Sequence, residues 1–291
     1  MKRILLFILT LAMCICLASC GQPVYGEIAA TTLPVFEFTQ KLCADTGLNV
    51  TRLINENVSC LHDYTLKVSQ MQAIEKAKII VTSGAGLEDF LEDALNGEQK
   101  VIDASEGIHL HTGAHNHETH EHTHSDSNDP HIWLSVANSR QMAHNICKEL
   151  SILYPQYQNI FETNLLALDA EFSQLDNYAI QSLSNLSDNK LITFHDGFGY
   201  LAESCDLEII HALEEESGSE ASAQELIELI NIVKEHDLKA IFTERNGSTS
   251  AAAVLCSETG VPIYTLDMAM SGDSYFDAMY HNIDTLKEAL Q

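Results

Sequence analysis

Half of the chain's fourteen histidines lie within a single short segment, between residues 109 and 124. They are His109, His111, His115, His117, His120, His122 and His124. Neutral imidazole is the commonest protein ligand for zinc and related divalent metals. Since the residues around these histidines are polar and form no apolar face, we expect a loop over residues 109–128 that binds metal weakly and without one fixed geometry. A solvated spacer with no metal role is the alternative interpretation.

The same segment contains a match to the H-E-x-x-H pattern of zinc proteases, from His120 to His124. That chemistry requires both histidines on one face of a stable helix, with Glu121 as the general base. A polar loop rich in histidine provides no such helix. We therefore attribute the match to composition and predict that the chain is not an enzyme, although a zinc hydrolase using a metal elsewhere is a weaker alternative.

Three further residues occupy positions where an ordered site is expected. His131 follows Asp-Pro at the start of an amphipathic helix, His195 ends an apolar strand, and Asp267 follows the strand 261–266. In open parallel sheets, ligands bind at the carboxyl ends of strands. Taken singly, a buried histidine of this kind is more often a hydrogen-bonded structural residue than a ligand.

Strand-like and helix-like segments alternate along the chain, which predicts an α/β fold with parallel sheets. The alternation is interrupted by a helical pattern over residues 156–183, where apolar residues recur at steps of three and four. A helix of that length spans about 40 Å and can join two domains. The prediction is two parallel-sheet lobes, over 20–155 and 187–291, joined by a spine helix at 156–186. A shorter helix is predicted over 87–95.

The N-terminus has the features of a signal peptide, which we assign to residues 1–19. Lys2 and Arg3 precede an apolar run from Ile4 to Leu17, and Cys20 follows Leu-Ala-Ser. This arrangement resembles the lipobox of bacterial lipoproteins, in which cleavage precedes the cysteine and its thiol is acylated. Cys20 is therefore the expected lipid-anchored N-terminus.

The formal net charge of −27 excludes nucleic acid as a partner, because such a surface repels phosphate. The same field concentrates cations, although solubility alone also explains it. An extracytoplasmic location permits disulfides, but their pairing is left open. Cys205 with Cys256 and Cys43 with Cys60 are the candidate pairs, whereas Cys147 is expected to be buried in a helix.

Three segments resemble signatures of the zinc/manganese-type solute-binding lipoproteins of ABC metal importers. They are Asp-Pro-His-Ile-Trp-Leu at 129–134, Phe-His-Asp-Gly-Phe-Gly-Tyr at 194–200 and Ser-Gly-Ala-Gly-Leu-Glu at 83–88. Their order and spacing, the inserted histidine-rich loop, the spine helix and the lipobox also agree with this family. The resemblance covers essentially the whole chain after the signal peptide.

This resemblance implies one Zn²⁺ held in a cleft between the lobes by His62, His131, His195 and Asp267, with additional weak sites in the loop. It also implies delivery of the metal to the permease and ATPase of an ABC importer by a monomer anchored to the bacterial cell membrane. Cys60-Leu61 stands before His62 where the family usually has Asp-Pro.

Two alternatives remain within the family. One is a subunit for manganese or another divalent metal; the other is an adhesin or zinc-scavenging lipoprotein without a transport role. Manganese-type members have a carboxylate where this chain has His195. Three imidazoles and one oxygen suit four-coordinate zinc, whereas manganese prefers more oxygen ligands. The ligand set therefore favours zinc.

Overall fold

The computed structural model describes residues 25–58, 61, 64–111, 128–214, 222–247 and 249–291. The strands are β1 (Ile28–Ala30), β2 (Val50–Arg52), β3 (Ile79–Thr82), β4 (Lys100–Asp103), β5 (Lys190–His195), β6 (Glu208–Glu214), β7 (Ile241–Glu244) and β8 (Ile263–Leu266). The α-helices are α1 (Leu33–Leu42), α2 (Val68–Lys76), α3 (Val136–Leu153), α4 (Gln158–Leu183), α5 (Gly199–Ser204), α6 (Ala223–Glu235), α7 (Ser250–Thr259) and α8 (Tyr275–Leu290).

The strands form two separate four-stranded sheets, one on each side of α4 in sequence. Their orders are β2-β1-β3-β4 and β6-β5-β7-β8, and the paired strands run parallel throughout the described chain. In each sheet the strand order reverses at the central pair, which is where open α/β sheets bind ligands at their carboxyl ends. The predicted two-lobed α/β fold is confirmed.

Helix α4 is the predicted spine. Its apolar stripe of Phe161, Leu168, Phe172 and Leu175 is buried, in agreement with the periodicity of the sequence. The helix packs against α1 and α3 of the first lobe and against α8 of the second, and so joins the two lobes. It begins at Gln158 because a short 3-10 helix precedes it.

One hydrophobic core runs through both lobes. In it, the ring of Phe38 in α1 lies 5.3 Å from that of Phe172 in α4 and 5.0 Å from that of Tyr275 in α8. A smaller cluster that includes Leu229 and Ile241 packs separately within the second lobe. Since close-packed interiors resist deformation, the shared core limits how far the lobes can move relative to each other.

The segment between β8 and α8, residues 268–274, is bound to the first lobe, and we call it the strap. The indole Nε1 of Trp133 donates a hydrogen bond of 2.7 Å to the carbonyl of Met268. The guanidinium of Arg52 donates one of 2.7 Å to the carbonyl of Gly272. The strap therefore ties the end of β8 to residues of the first lobe.

The α-helix predicted over residues 87–95 is wrong. A 3-10 helix, Asp89–Ala94, forms there instead. Gly84 and Gly86 adopt φ values of +84° and +86°, and the carboxylate of Glu88 accepts a hydrogen bond from the backbone N–H of Gly84. The chain therefore curls around this carboxylate, which leaves little of the segment for a regular α-helix.

The candidate disulfide between Cys205 and Cys256 is also corrected, since both are free thiols. Cys43 and Cys147 are free and buried, the latter within α3 as expected. Cys60, the predicted signal peptide and the predicted lipidated Cys20 lie outside the described residues. Among the helices of the described chain, none has both the length and the hydrophobicity needed to cross a membrane.

Candidate metal-binding site

His195 is the last residue of β5, a strand of the second sheet whose final five residues are all buried. Its side chain is only 1% exposed, at the carboxyl end of the sheet. Gly197 follows two residues later, and a Cβ atom there would lie 2.7 Å from Nε2 of His195 and 2.9 Å from Cε of Met268. The missing side chain at residue 197 therefore leaves space beside the imidazole.

His131 lies just after the histidine-rich loop and just before the buried 3-10 helix Ile132–Leu134. It is 2% exposed. Oδ1 of Asp129 accepts hydrogen bonds from its backbone N–H at 2.9 Å and from its ring nitrogen Nδ1 at 2.7 Å. A proton on Nδ1 leaves the lone pair of His131 on Nε2, which is the arrangement of a metal-ligating histidine oriented by a carboxylate.

The two histidines meet where the lobes face each other. Nε2 of His131 lies 3.3 Å from Nε2 of His195, and the ring planes are nearly perpendicular. Two nitrogens that bind one zinc ion at 2.0–2.1 Å with a tetrahedral angle are separated by about 3.3–3.4 Å. The observed spacing therefore suits two ligands of one tetrahedral ion.

Asp267, the predicted carboxylate ligand, directly follows β8 and has a side chain that is 5% exposed. Its Oδ2 forms an ion pair with Nη1 of Arg245 at 2.9 Å, and its Oδ1 accepts the N–H of Ala269 at 2.8 Å. The side-chain amide of Asn282 donates to its carbonyl and accepts from its N–H, both at 2.7 Å.

The described residues therefore bring together two of the four predicted ligands, His131 and His195. In this part of the chain, no group of three or more His, Cys, Asp or Glu residues is arranged to hold a metal ion. Asp267 is paired with Arg245, and His62 lies outside the described residues.

The histidine-rich loop is described only at its root. His109 is exposed, whereas the ring of His111 stacks on Tyr200 at 4.0 Å and lies 2.7 Å from Oε2 of Glu203. The carbonyl of His111 accepts the N–H of Asp129 at 2.9 Å, so the two ends of the loop are adjacent. His115, His117, His120, His122 and His124 lie outside the described residues, as does the H-E-x-x-H match.

Several residues that shape the site have no role predicted from sequence. Asp129 lies in the Asp-Pro-His segment, and its position two residues before His131 is a signal from which its role could have been found. Gly197 also lies within a recognised segment, beside His195. Arg245 and Asn282 carry no local pattern that identifies them, because each acts on Asp267 through a contact between distant parts of the chain.

Glu88 forms a second buried polar centre, at the carboxyl edge of the first sheet. Its carboxylate accepts hydrogen bonds from the hydroxyl of Thr31 at 2.6 Å and from the N–H groups of Ser83 and Gly84 at 2.8 and 3.0 Å. Burial raises the pKa of Glu88 to about 7, against the opposing effect of these hydrogen bonds.

Comparisons of the sequence and of the fold with known proteins point to the same family. The family model of the periplasmic component A of the zinc-uptake complex, ZnuA, matches residues 28–289. A solved structure described as the crystal structure of ZnuA superimposes with a TM-score of 0.78 and 30% identity, over 91% of this chain and 99% of that one.

Two relatives are similar in sequence over most of the chain. The high-affinity zinc uptake system protein ZnuA of Bacillus subtilis is 29% identical, over 91% of this chain and 87% of its own length. The zinc-binding lipoprotein AdcA of Streptococcus pneumoniae is 29% identical over 99% of this chain, which spans 61% of that relative's length.

Proposed function

Because this chain belongs to the family of periplasmic zinc-uptake components, we propose that it binds one Zn²⁺ between its two lobes and delivers it to the permease of an ABC importer. The observation that carries this proposal is the 3.3 Å separation of the Nε2 atoms of His131 and His195. One histidine comes from each half of the chain, so a bound ion would link residues 20–155 to residues 187–291 across the spine at 156–186.

The proposed ligands are His62, His131, His195 and Asp267. The spacing of the two described imidazoles matches tetrahedral zinc, and Asp129 holds His131 with its Nε2 lone pair available. Three nitrogens and one oxygen favour zinc over manganese, whose preferred ligands are oxygens. Copper and nickel also bind such sites well, so affinity alone does not identify the metal taken up.

The proposed mechanism is capture and hand-over without bond chemistry. Zinc bound by both halves of the chain would hold the lobes together, and the shared core and the strap support a small closing movement. The permease and its ATPase would then separate or distort the ligands to release the ion. Since protons compete with metal for imidazole, binding should weaken below about pH 6.

The proposed location is outside the cytoplasmic membrane, with a lipid on Cys20 as the anchor and a monomer as the working form. The sequence around Cys20 supports this, together with the description of one relative as a lipoprotein. The loop at 109–128 would bind further zinc weakly and raise its concentration near the cleft. Its root, at His111 and Asp129, lies next to the proposed site.

Diffraction at the zinc absorption edge tests the proposal directly. In crystals of the zinc-loaded chain, we expect an anomalous peak at about 2.0–2.1 Å from Nε2 of both His131 and His195. A peak only at loop histidines would contradict the proposal. Transport is tested by uptake of radioactive zinc into cells that depend on this chain: His195→Ala should abolish uptake, and His144→Ala, at a surface contact with Asp169, should not.

A further inference from the structure

We infer that Arg245 competes with zinc for the carboxylate of Asp267 and thereby limits the affinity of the site. Nη1 of Arg245 lies 2.9 Å from Oδ2 of Asp267, so the guanidinium occupies a position from which a metal would approach that oxygen. The guanidinium and zinc are both cations, and both would bind Oδ2 of Asp267. The inference rests on the proposed function, because it requires Asp267 to be a zinc ligand.

The two partners in this ion pair differ in how easily they can leave it. The carboxylate of Asp267 is 5% exposed, whereas the side chain of Arg245 is 53% exposed. A buried carboxylate that loses its countercharge is destabilised, so the loss of the guanidinium favours binding of another cation at the same oxygen. The half-exposed guanidinium can turn into water, where it is solvated, provided that zinc replaces it at the buried carboxylate.

The remaining contacts of Asp267 belong to the fixed part of the fold. The side-chain amide of Asn282, which is fully buried in α8, forms hydrogen bonds of 2.7 Å with both the backbone N–H and the carbonyl of Asp267. The N–H of Ala269 in the strap donates a hydrogen bond to Oδ1 of Asp267. These groups set the position of the carboxylate, and Arg245 is the partner that can be exchanged for a metal ion.

The backbone of Arg245 does not have to move for this exchange. Its N–H donates a hydrogen bond of 2.7 Å to the carbonyl of Leu266, which continues the pairing of β7 with β8. The side chain can therefore leave Asp267 while its own Cα stays next to the site. When zinc departs, the same guanidinium can return to the carboxylate, which favours release of the cargo.

The test is a zinc titration of the mature chain against a competing chelator. Arg245→Gln removes the charge and is expected to bind zinc about two- to fivefold more tightly, which corresponds to the free energy of a solvent-accessible ion pair. Arg245→Lys keeps the charge and should stay near the wild type. Lys239→Gln is the matched control, because Lys239 is similarly exposed, at 52%, and lies just before the first residue of β7. Its substitution changes the net charge by the same amount.

Zinc-induced thermal stabilisation gives a second readout, which should increase in Arg245→Gln. Unchanged or weaker zinc binding in Arg245→Gln would overturn the inference while leaving the proposed site intact. The effect must also depend on the carboxylate, so Arg245→Gln should have no effect on affinity in an Asp267→Asn background. If Asp267→Asn alone binds zinc as tightly as the wild type, Asp267 is not a ligand and both the inference and that part of the proposed site fail.

Discussion

One carboxylate oxygen of Asp129 binds His131 at two points: Oδ1 lies 2.7 Å from Nδ1 of the ring and 2.9 Å from the backbone nitrogen. The pair is nearly buried, with side chains 12% and 3% exposed. The contact fixes both the tautomer and the direction of the ring, so that Nε2 faces His195. The order Asp-Pro-His thus places a carboxylate where it can orient the imidazole two residues later.

Removing this carboxylate should weaken metal binding without removing a ligand. In Asp129→Ala we expect zinc affinity to fall about 10–100-fold, as is usual when the partner that orients a ligating histidine is lost. The backbone contacts of Asp129 with His111 and Tyr200 remain in this variant. A chelator-competition titration measures the change.

The matched control is Asp169→Ala, because Asp169 makes a comparable contact with His144 on the surface of the spine and α3, with N–O distances of 3.1 Å. Its zinc affinity should equal that of the wild type. If both variants bind zinc equally well, Asp129 does not orient a metal ligand.

Gly197 is predicted to be essential because a side chain there would collide with the site. A methyl group at this position would lie 2.6 Å from Cδ2 and 2.7 Å from Nε2 of His195, far inside van der Waals contact. In Gly197→Ala the imidazole must move, and we expect zinc affinity to fall at least about tenfold. Isothermal titration calorimetry measures the loss, and circular dichroism checks that the fold is retained.

Gly199→Ala, two residues further on at the start of α5, provides the comparison. Its added methyl group would make ordinary contacts of 3.4 Å with Asp129 and 3.5 Å with His111. This variant should keep most of its zinc affinity. Equal losses in the two variants would show that the segment from Gly197 to Gly199 tolerates no side chain at either position, rather than that the space beside His195 matters.

The sequence predicted the architecture because burial leaves a local periodic pattern. The stripe from Phe161 to Leu175 marked the spine within a few residues, and the alternation of segments indicated two parallel sheets. The sequence pattern predicts an α-helix where the 3-10 helix Asp89–Ala94 forms, because the pattern does not report that Glu88 accepts the N–H groups of the preceding turn.

For the site, sequence identified residues but not their partners. His131 and His195 were recognised from the segments around them, and the structure brings their rings together from opposite halves of the chain. The ion pair between Asp267 and Arg245 could not be predicted, because it depends on how β7 and β8 pair and not on nearby residues. The assignment of His62 stays a prediction.

Glu88 should make folding stability depend on pH. Its pKa of about 7 lies above the ordinary value of 4.5, since burial disfavours the charged form. The folded state thus binds this proton more tightly than the unfolded state, and stability falls as pH rises between these two values. At about 1.4 kcal/mol per pKa unit, the loss attributable to Glu88 is about 3 kcal/mol.

Chemical denaturation of the zinc-free chain at about pH 5 and about pH 8 tests this expectation, with a chelator present to prevent metal stabilisation. The decrease in unfolding free energy between the two values should be smaller in Glu88→Gln than in the wild type by about the stated amount. An equal decrease in both proteins would mean that Glu88 ionises normally when folded.

The central claim is that tight binding occurs at His131 and His195 and that the histidine-rich loop is auxiliary. The adjacent ends of the loop allow residues 112–127 to be replaced by a short Gly–Ser linker without separating His111 from Asp129. Zinc and manganese titration calorimetry would then compare the wild type, the loop replacement and the loop replacement with His195→Ala.

We predict one tight zinc site that remains after the loop is replaced and is lost when His195→Ala is added, with manganese bound more weakly throughout. If tight zinc binding disappears with the loop and is unaffected by His195→Ala in the full chain, the assignment of the tight site to the interlobe histidines is wrong. The protein is then better described as a zinc scavenger.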